Sequence, residues 1–446
     1  MLPPLFLSVR VPTRLAIFWR ARLAPVRRAG FQTSHVCSLM VVRLDGLGDV
    51  VLTTPLFREL KRIFPDASCT VVVHDAVRSL LATNPYIDEI IGLRPVHATW
   101  LPARLGTLLS VLRLYWRRLR GRHFDVVISP RWDVDDQLAT CLCSLVDSAR
   151  RVGYTKTVSP MKSRYNRGFD AGFDTCLSAG PVQHEVLRNV EIARALGGKP
   201  QDSKLEIRLT PRDREFALEL LAKVPTSNKL VAVGIGGRSP GRRWPLENYA
   251  ECLVQLRKKH WVQPIIICSH DEKEEARKLT NLGGYQAIVV AGAPLRKVCA
   301  ILERCDIFIG NDSGSAHLAA AMDCKVIVIS RHPKDGDPNH RNSPIRFAPY
   351  CQRSRVLQPV TGVDTCTTEC LSPEPHCIKA VRVEHVVAAA CEMLEQDMFS
   401  LAITQASLEG ERSQPARTQI ALPAVVCLQR TGELSKVVPD IPSSLP

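Results

Sequence analysis

The feature that most constrains this chain is a set of apolar runs that do not alternate with polar residues. "SLMVVRL", "SCTVVVHD", "FDVVISP", "KLVAVGIGG", "QPIIICS" and "CKVIVIS" recur along it, most of them followed by a Gly-, Asp- or Pro-containing turn and an amphipathic stretch. A strand with one wet face shows a period of two, so runs without that period need cover on both faces. The covering helices are supplied by segments such as "VVLTTPLFRELKRIFP". The reading is an α/β chain with parallel sheets, beginning at Met40.

The rhythm runs twice. A first series spans residues 40–200 and closes with the helix "HEVLRNVEIARALGG", whose final glycines suit a helix C-terminus. Residues 154–184 lose periodicity and read as a long loop. "KPQDSKLEIRLTPRDREFALELLAKVP" then crosses to a second series over residues 201–395. Two such series predict two Rossmann-like domains facing a central cleft, with ligands bound beyond the carboxyl ends of the strands.

The ends differ from the middle. Residues 1–39 carry Arg10, Arg14, Arg20, Arg22, Arg27 and Arg28 and no carboxylate. They read as a poorly ordered leader, or an over-called start before Met40, with an amphipathic membrane-surface segment or a transit-like peptide as the alternatives. Residues 396–446, rich in Pro, Ser, Gln and Thr, read as a loosely ordered tail. A formal charge of +15 over 446 residues favours anionic partners, without choosing among nucleic acid, phosphorylated molecules and an anionic membrane. The sixteen cysteines lie mostly in apolar segments, as reduced buried thiols do, which favours a reducing, cytoplasmic setting. No apolar run is long enough to span a bilayer.

Three turns at strand ends carry the candidate chemistry. In "DGLGDVVLTTP" the glycines resemble a dinucleotide fingerprint, but Val51 takes the third glycine position and Asp49 would face a pyrophosphate, so that reading is weak. Asp49 at a helix N-terminus suits a general base held ionised by the helix dipole; its plainer role is a helix cap. In "GNDSGSAHLAAAM", Ser313, Gly314 and Ser315 open a helix whose free amides suit phosphate, and Asp312 suits sugar hydroxyls. His317, one turn in, also fits a packed histidine. In "GIGGRSPGRRWPLENYAE", Arg238, Arg242 and Arg243 are offered to diphosphate oxygens. A carboxylate opposed by a phosphate cradle is the layout for group transfer from a nucleotide diphosphate sugar.

The stretches "RLDGLGDVVLTTPLFRELKRIFP", "HEVLRNVEIARALG", "RRWPLENYAECLVQL" and "GNDSGSAHLAAAM" stand in order, and with them the chain resembles glycosyltransferase family 9, the ADP-heptose to lipopolysaccharide heptosyltransferases of Gram-negative bacteria. The resemblance implies a GT-B fold with an acceptor-side first domain and a nucleotide-sugar-binding second domain. It implies Asp49 as catalytic base, Arg242 as a phosphate-binding cation, Asp312, Ser313, Gly314 and Ser315 as the donor loop, and Glu272 near the ribose. Arg243 and His317 complete the expected donor side; Gly48, Arg131 and Asp133, the last two from "PRWDVDD", complete the acceptor side. Arginine stands at 242 where the family often has lysine, and "RHPKDGDPNHRNSPIRFAPYC" has no obvious family counterpart.

The expected activity is inverting transfer of heptose from ADP-heptose to a hydroxyl of a lipopolysaccharide-core or other cell-envelope glycan, without a cofactor. The alternatives are a GT-B nucleotide-sugar epimerase and a non-catalytic basic scaffold; no nucleic-acid module is recognisable. Arg104, Arg113, Arg117, Arg118, Arg120 and Arg122, with Trp100, Tyr115 and Trp116, suit an anionic membrane or phosphorylated lipid, or else a solvated crossover helix. That makes the expected location cytoplasmic and peripheral on the inner membrane. Cys366, Cys370 and Cys377, with His376, do not match paired CxxC knuckles, so no metal is expected and the thiols read as merely clustered.

Overall fold

The computed structural model describes residues 4–23, 36–94, 103–363, 366, 368–370 and 372–395. Its two six-stranded sheets are parallel throughout. The first is built from β1 (Ser38–Arg43), β2 (Ser68–His74), β3 (Glu89–Leu93), β4 (His123–Ser129), β5 (Asp147–Tyr154) and β6 (Thr175–Leu177). The second holds β7 (Lys229–Gly234), β8 (Val262–Cys268), β9 (Ile288–Ala291), β10 (Ile307–Asn311), β11 (Lys325–Ile329) and β12 (Ser354–Leu357).

The strand orders are β3-β2-β1-β4-β5-β6 and β12-β11-β10-β7-β8-β9. Numbered from its own first strand, each sheet has the same 3-2-1-4-5-6 order, which reverses between its first and fourth strands. Such a reversal splays the two following loops apart and leaves a crevice at the strand ends. The crevices therefore lie between the loops after β1 and β4, and between those after β7 and β10.

Both faces of each sheet are covered. Along β1, Leu39 and Val41 point into one apolar cluster while Met40 and Val42 point into another. In β11, Ile327 and Ile329 face one cluster, and Val326 and Val328 the other. Each such aliphatic side chain contributes about 1.5–3 kcal/mol when fully buried, which is why these strands read as unbroken apolar runs.

The helix Leu47–Ile63 follows β1 and holds Pro55 in its interior. Proline has no N–H for the carbonyl four residues back, here that of Val51. Thr54 Oγ1 donates to that carbonyl at 2.8 Å, so the helix continues unbroken. A helix at 383–395 packs Val386, Ala390 and Leu394 onto the core under β7 and β11.

Two regions differ from the sequence reading. The leader expected to be poorly ordered carries a helix, Pro4–Leu23, docked by Arg20, whose Nη1 donates to Gly172 O at 2.9 Å and whose Nη2 pairs with Asp174 at 2.7 Å. The aperiodic stretch 154–184 contains the helix Pro160–Tyr165 and the edge strand β6. Both are too short to show a period. Residues 396–446, expected to be a tail, lie outside the described residues, as does Trp100. Among the described residues no helix is long and apolar enough to cross a membrane.

Candidate functional site

Asp49 is the third residue of the helix after β1, and its carboxylate is held from both sides. Oδ2 accepts from Gly46 N and Oδ1 from Arg43 Nη2, both at 3.2 Å. It therefore caps the helix while remaining partly open to the cleft, with 26% of its side chain exposed. Burial pushes its carboxyl above the ordinary range, and the Arg43 guanidinium works against that rise.

Arg43 is itself buried. Its Nη1 donates to Pro130 O at 3.0 Å and its Nε faces Asp45 at 3.1 Å. Asp45 also pairs with Arg131, whose Nε donates to Val134 O at 3.0 Å. The β1 and β4 loops are thus tied together by alternating charges beneath Asp49.

The second domain answers with the helix Gly314–Ala321, which opens after β10. The N-termini of this helix and of Leu47–Ile63 meet. A Cβ on Gly314 would stand 2.8 Å from Leu47 Cδ2, and one on Gly48 would stand 2.5 Å from His317 Cδ2. Only glycine allows either approach. His317 is buried against Gly48, and that burial holds its imidazole below the usual histidine range. Ser313 and Ser315 share a hydroxyl hydrogen bond of 2.9 Å at the mouth of this helix.

Arg242 reaches the same place. Its Nη2 donates to the backbone oxygen of Asp312 at 3.0 Å and pairs with the Asp312 carboxylate. Arg243 turns the other way: Nε donates to Gly237 O at 3.2 Å, and Nη2 pairs with Glu272 at 3.1 Å. Glu272 is fixed by Ser269, whose N and Oγ both donate to its Oε2 at 2.9 Å. Arg243, Trp244, Glu272 and Glu374 line a cavity of about 190 Å³ at the carboxyl ends of β7 and β8. A Cβ on Gly236 would stand 2.9 Å from Glu272, so this loop needs glycine for the carboxylate to lie over it.

Of the residues expected at the site, Gly48, Asp49, Asp312, Ser313, Gly314, Ser315, His317 and Arg242 come together where the two domains meet. Arg243 and Glu272 form the adjoining pocket. Arg131 and Asp133 stay on the first-domain side, each engaged in ion pairs. Asp133 is gripped by Arg346, Nη1 to Oδ1 at 3.1 Å and Nη2 to Oδ2 at 2.9 Å. Arg346 also pairs with the buried Glu185 at 2.6 Å.

Several residues of consequence escape a sequence reading. Arg346 comes from the segment "RHPKDGDPNHRNSPIRFAPYC" and bolts the second domain to Asp133 and Glu185 of the first. Its guanidinium lies 4.3 Å from the Trp132 ring centroid, with Arg188 on the same ring at 3.9 Å. Asn311, wholly buried at the end of β10, accepts from Trp244 N at 2.8 Å and Tyr249 Oη at 3.0 Å. Its amide donates to Ile235 O at 2.8 Å and Gly236 O at 3.1 Å. One side chain thus fixes the glycine loop and the arginine loop together; only its place just before Asp312 could have signalled it. Lys162 lies buried under the Arg131 loop, where desolvation lowers its ammonium to about 8, and it donates to Arg131 O at 2.8 Å.

Cys366, Cys370 and Cys377 are clustered, as the sequence reading expects, and with His376 they bring four potential ligand atoms within 4.8 Å of one another.

The chain is similar to known proteins over most of its length. Residues 112–338 match the model of glycosyltransferase family 9 (heptosyltransferase). The lipopolysaccharide core heptosyltransferase OpsX of Haemophilus influenzae is 23% identical over 326 residues, covering 72% of this chain and 84% of that protein. Lipopolysaccharide heptosyltransferase 1 of Pseudomonas aeruginosa is 24% identical over 376 residues, covering 80% and 98%. Among solved structures, the glycosyl transferase family 9 protein of Veillonella parvula superposes with a TM-score of 0.64 at 18% identity, covering 81% of this chain and 97% of that one. The E. coli heptosyltransferase WaaC with ADP superposes at 0.58 and 17% identity, covering 80% and 99%. Two 3-2-1-4-5-6 parallel sheets, joined at their crevices by Gly48 and His317, give a GT-B fold, and with the family match over residues 112–338 the chain belongs to glycosyltransferase family 9 and is a glycosyltransferase.

Proposed function

We propose that the chain transfers heptose from ADP-heptose to a hydroxyl of a lipopolysaccharide-core or related cell-envelope glycan, with inversion. The observation that carries this reading is the meeting of two helix N-termini at the paired crevices. One bears Asp49; the other offers the amides of Ser313 to Ser315 beside Arg242.

In this reading Asp49 takes the proton of the acceptor hydroxyl as that oxygen attacks the anomeric carbon. The bond from that carbon to the diphosphate breaks in the same displacement, and its electron pair leaves on the diphosphate oxygen. A single base suffices because no covalent intermediate is needed. The helix amides and Arg242 neutralise the leaving charge, with Arg243 in the adjoining pocket on the nucleotide side, which supports a reaction without a metal at the phosphates. In the same reading Glu272, whose carboxylate lies over Gly236, accepts from ribose hydroxyls. Relatives whose names specify ADP-heptose or lipopolysaccharide support the donor and acceptor.

A contact with an anionic membrane is part of the proposal. Val11, Leu15, Phe18 and Trp19 are exposed at helical spacing on the helix Pro4–Leu23. Trp116 is 56% exposed, with Arg120 stacked on it at 4.2 Å. Apolar side chains interleaved with arginine suit a charged interface, where a lipid-linked acceptor would be presented.

Calorimetry with ADP, UDP and GDP tests the donor reading. ADP is expected to bind, and Arg242→Ala to weaken it about tenfold or more, as loss of a charge-assisted hydrogen bond would. Absence of binding to any of the three nucleotides would overturn it.

A further inference from the structure

Beyond the transfer site, the structure brings Cys366, Cys370, His376 and Cys377 to one point. Three thiols, each at most 6% exposed, surround a single imidazole nitrogen. His376 Nδ1 lies 3.6 Å from Cys366 Sγ, 3.9 Å from Cys370 Sγ and 3.4 Å from Cys377 Sγ. One ring nitrogen can donate or accept one good hydrogen bond, so hydrogen bonding does not account for three sulfurs gathered round it.

Tetrahedral coordination does. With metal–sulfur distances of about 2.3 Å and metal–nitrogen distances of about 2.0–2.1 Å, each sulfur-to-nitrogen edge of the tetrahedron is about 3.6 Å long. The three observed separations bracket that length. The backbone is shaped for the same arrangement. Val363 N points at Cys377 Sγ at 3.5 Å, the kind of N–H contact that stabilises a metal-bound thiolate. A Cβ on Gly362 would stand 1.6 Å from Cys366 O, so the turn that presents this cysteine requires glycine.

We propose that Cys366, Cys370 and Cys377 through sulfur, and His376 through Nδ1, bind one borderline-soft divalent transition-metal ion, zinc or ferrous iron, in a closed structural site. All four positions are filled by protein, so the ion is a staple and not a Lewis acid for substrate. The thiol protons leave on binding, and three thiolates against a divalent ion leave a net charge of minus one.

The staple holds a wall of the adjoining pocket. Between Cys370 and His376 the chain passes Ser372 and Pro373, whose carbonyl oxygens would stand 2.6 Å and 2.9 Å from a Cβ on Gly241 of the arginine loop. Glu374 and Pro375 then line the cavity with Arg243 and Glu272. The metal therefore fixes the spacing between this wall and the arginines.

The test uses the full chain, untagged and purified without chelator, with no nucleotide present, so that it stands apart from the transferase reading. Elemental analysis is expected to give about one zinc or iron per chain, released as one equivalent when the thiols are blocked with a mercurial. Titration of metal-stripped protein with Co2+ is expected to give the intense near-ultraviolet band of thiolate-to-cobalt charge transfer and the visible bands of a tetrahedral ion. Cys370→Ser is expected to reduce the metal content at least about tenfold. Folded wild-type protein with no stoichiometric metal and no cobalt charge-transfer band would overturn the proposal. So would a disulfide between any two of the three cysteines in non-reducing mass spectrometry of fresh protein. Both readings are made on the wild type, so they hold even where Cys370→Ser fails to fold.

Discussion

Gly48 and His317 touch where the two domains meet, the imidazole edge lying where a side chain on Gly48 would have to be. This contact sets the separation between the helix that carries Asp49 and the helix that opens with Ser313 to Ser315. Gly48→Ala puts a methyl into the ring, and overpacking of this kind costs about 1–3 kcal/mol. The expected outcome is a fall of about tenfold or more in kcat/KM with the fold retained. His317→Ala added to Gly48→Ala should restore part of the loss. A double-mutant cycle on kcat/KM measures the coupling, and strictly additive effects would contradict the contact.

The charge network under Asp49 has a consequence for pH. Burial raises the Asp49 carboxyl above the ordinary range and Arg43 opposes the rise. The acid limb of kcat/KM, which reports the free enzyme, should lie above the usual carboxylate range and move further up in Arg43→Gln. The sign for stability follows from proton binding: a raised native value means the native state holds the proton more tightly than the unfolded chain. The ionised carboxylate therefore costs stability at neutral pH, and that cost fades as pH falls through the native value. Asp49→Asn should accordingly unfold at a higher temperature than wild type at pH 7, with the gap closing in acid. A gap that widens in acid would contradict the assignment.

Arg346 is buried against two carboxylates of the other domain, and removing one partner of such a cluster typically costs about 3–5 kcal/mol. Arg346→Ala should lower the unfolding free energy by that amount, read in urea as a lower midpoint at an unchanged slope. Combining it with Asp133→Asn and Glu185→Gln should return part of the loss, because the unpaired charges are then gone. Equal midpoints for wild type and Arg346→Ala would show that the bolt carries no load.

The exposed apolar positions make a prediction for lipid. Full-length protein should float with vesicles rich in phosphatidylglycerol and remain below with phosphatidylcholine alone, and added salt should weaken the association. Trp19→Ala with Trp116→Ala should reduce flotation severalfold without changing ADP binding. Flotation unaffected by either change would place the acceptor contact elsewhere on the chain.

The parallel sheets and the loops at their carboxyl ends were legible in the sequence because strands such as β1 and β11 are apolar on both faces, and because each candidate loop follows such a strand directly. Asp49, Ser313 and Arg242 could be picked out for that reason. What stayed hidden depends on contacts between distant segments. Arg346 meets Asp133 and Glu185 across more than 150 residues, and no local pattern marks it. Asn311 gains its role from four backbone and side-chain partners, three on two other loops and one, Tyr249, on the helix Leu246–Lys259. The helix Pro4–Leu23 contains Pro12 and no acidic residue in its first turn, so it lacks the start signals that would have marked it against the sequence-level expectation of disorder.

The most direct measurement of the central claim is sugar transfer by wild type and Asp49→Asn, with ADP-heptose as donor and heptose-deficient lipopolysaccharide core as acceptor. Wild type should release ADP and extend the acceptor with inverted anomeric configuration. Asp49→Asn should bind ADP as wild type does while its kcat falls by about 10²–10⁴, the range expected for loss of a general base. Transfer by Asp49→Asn at the wild-type rate would contradict the account.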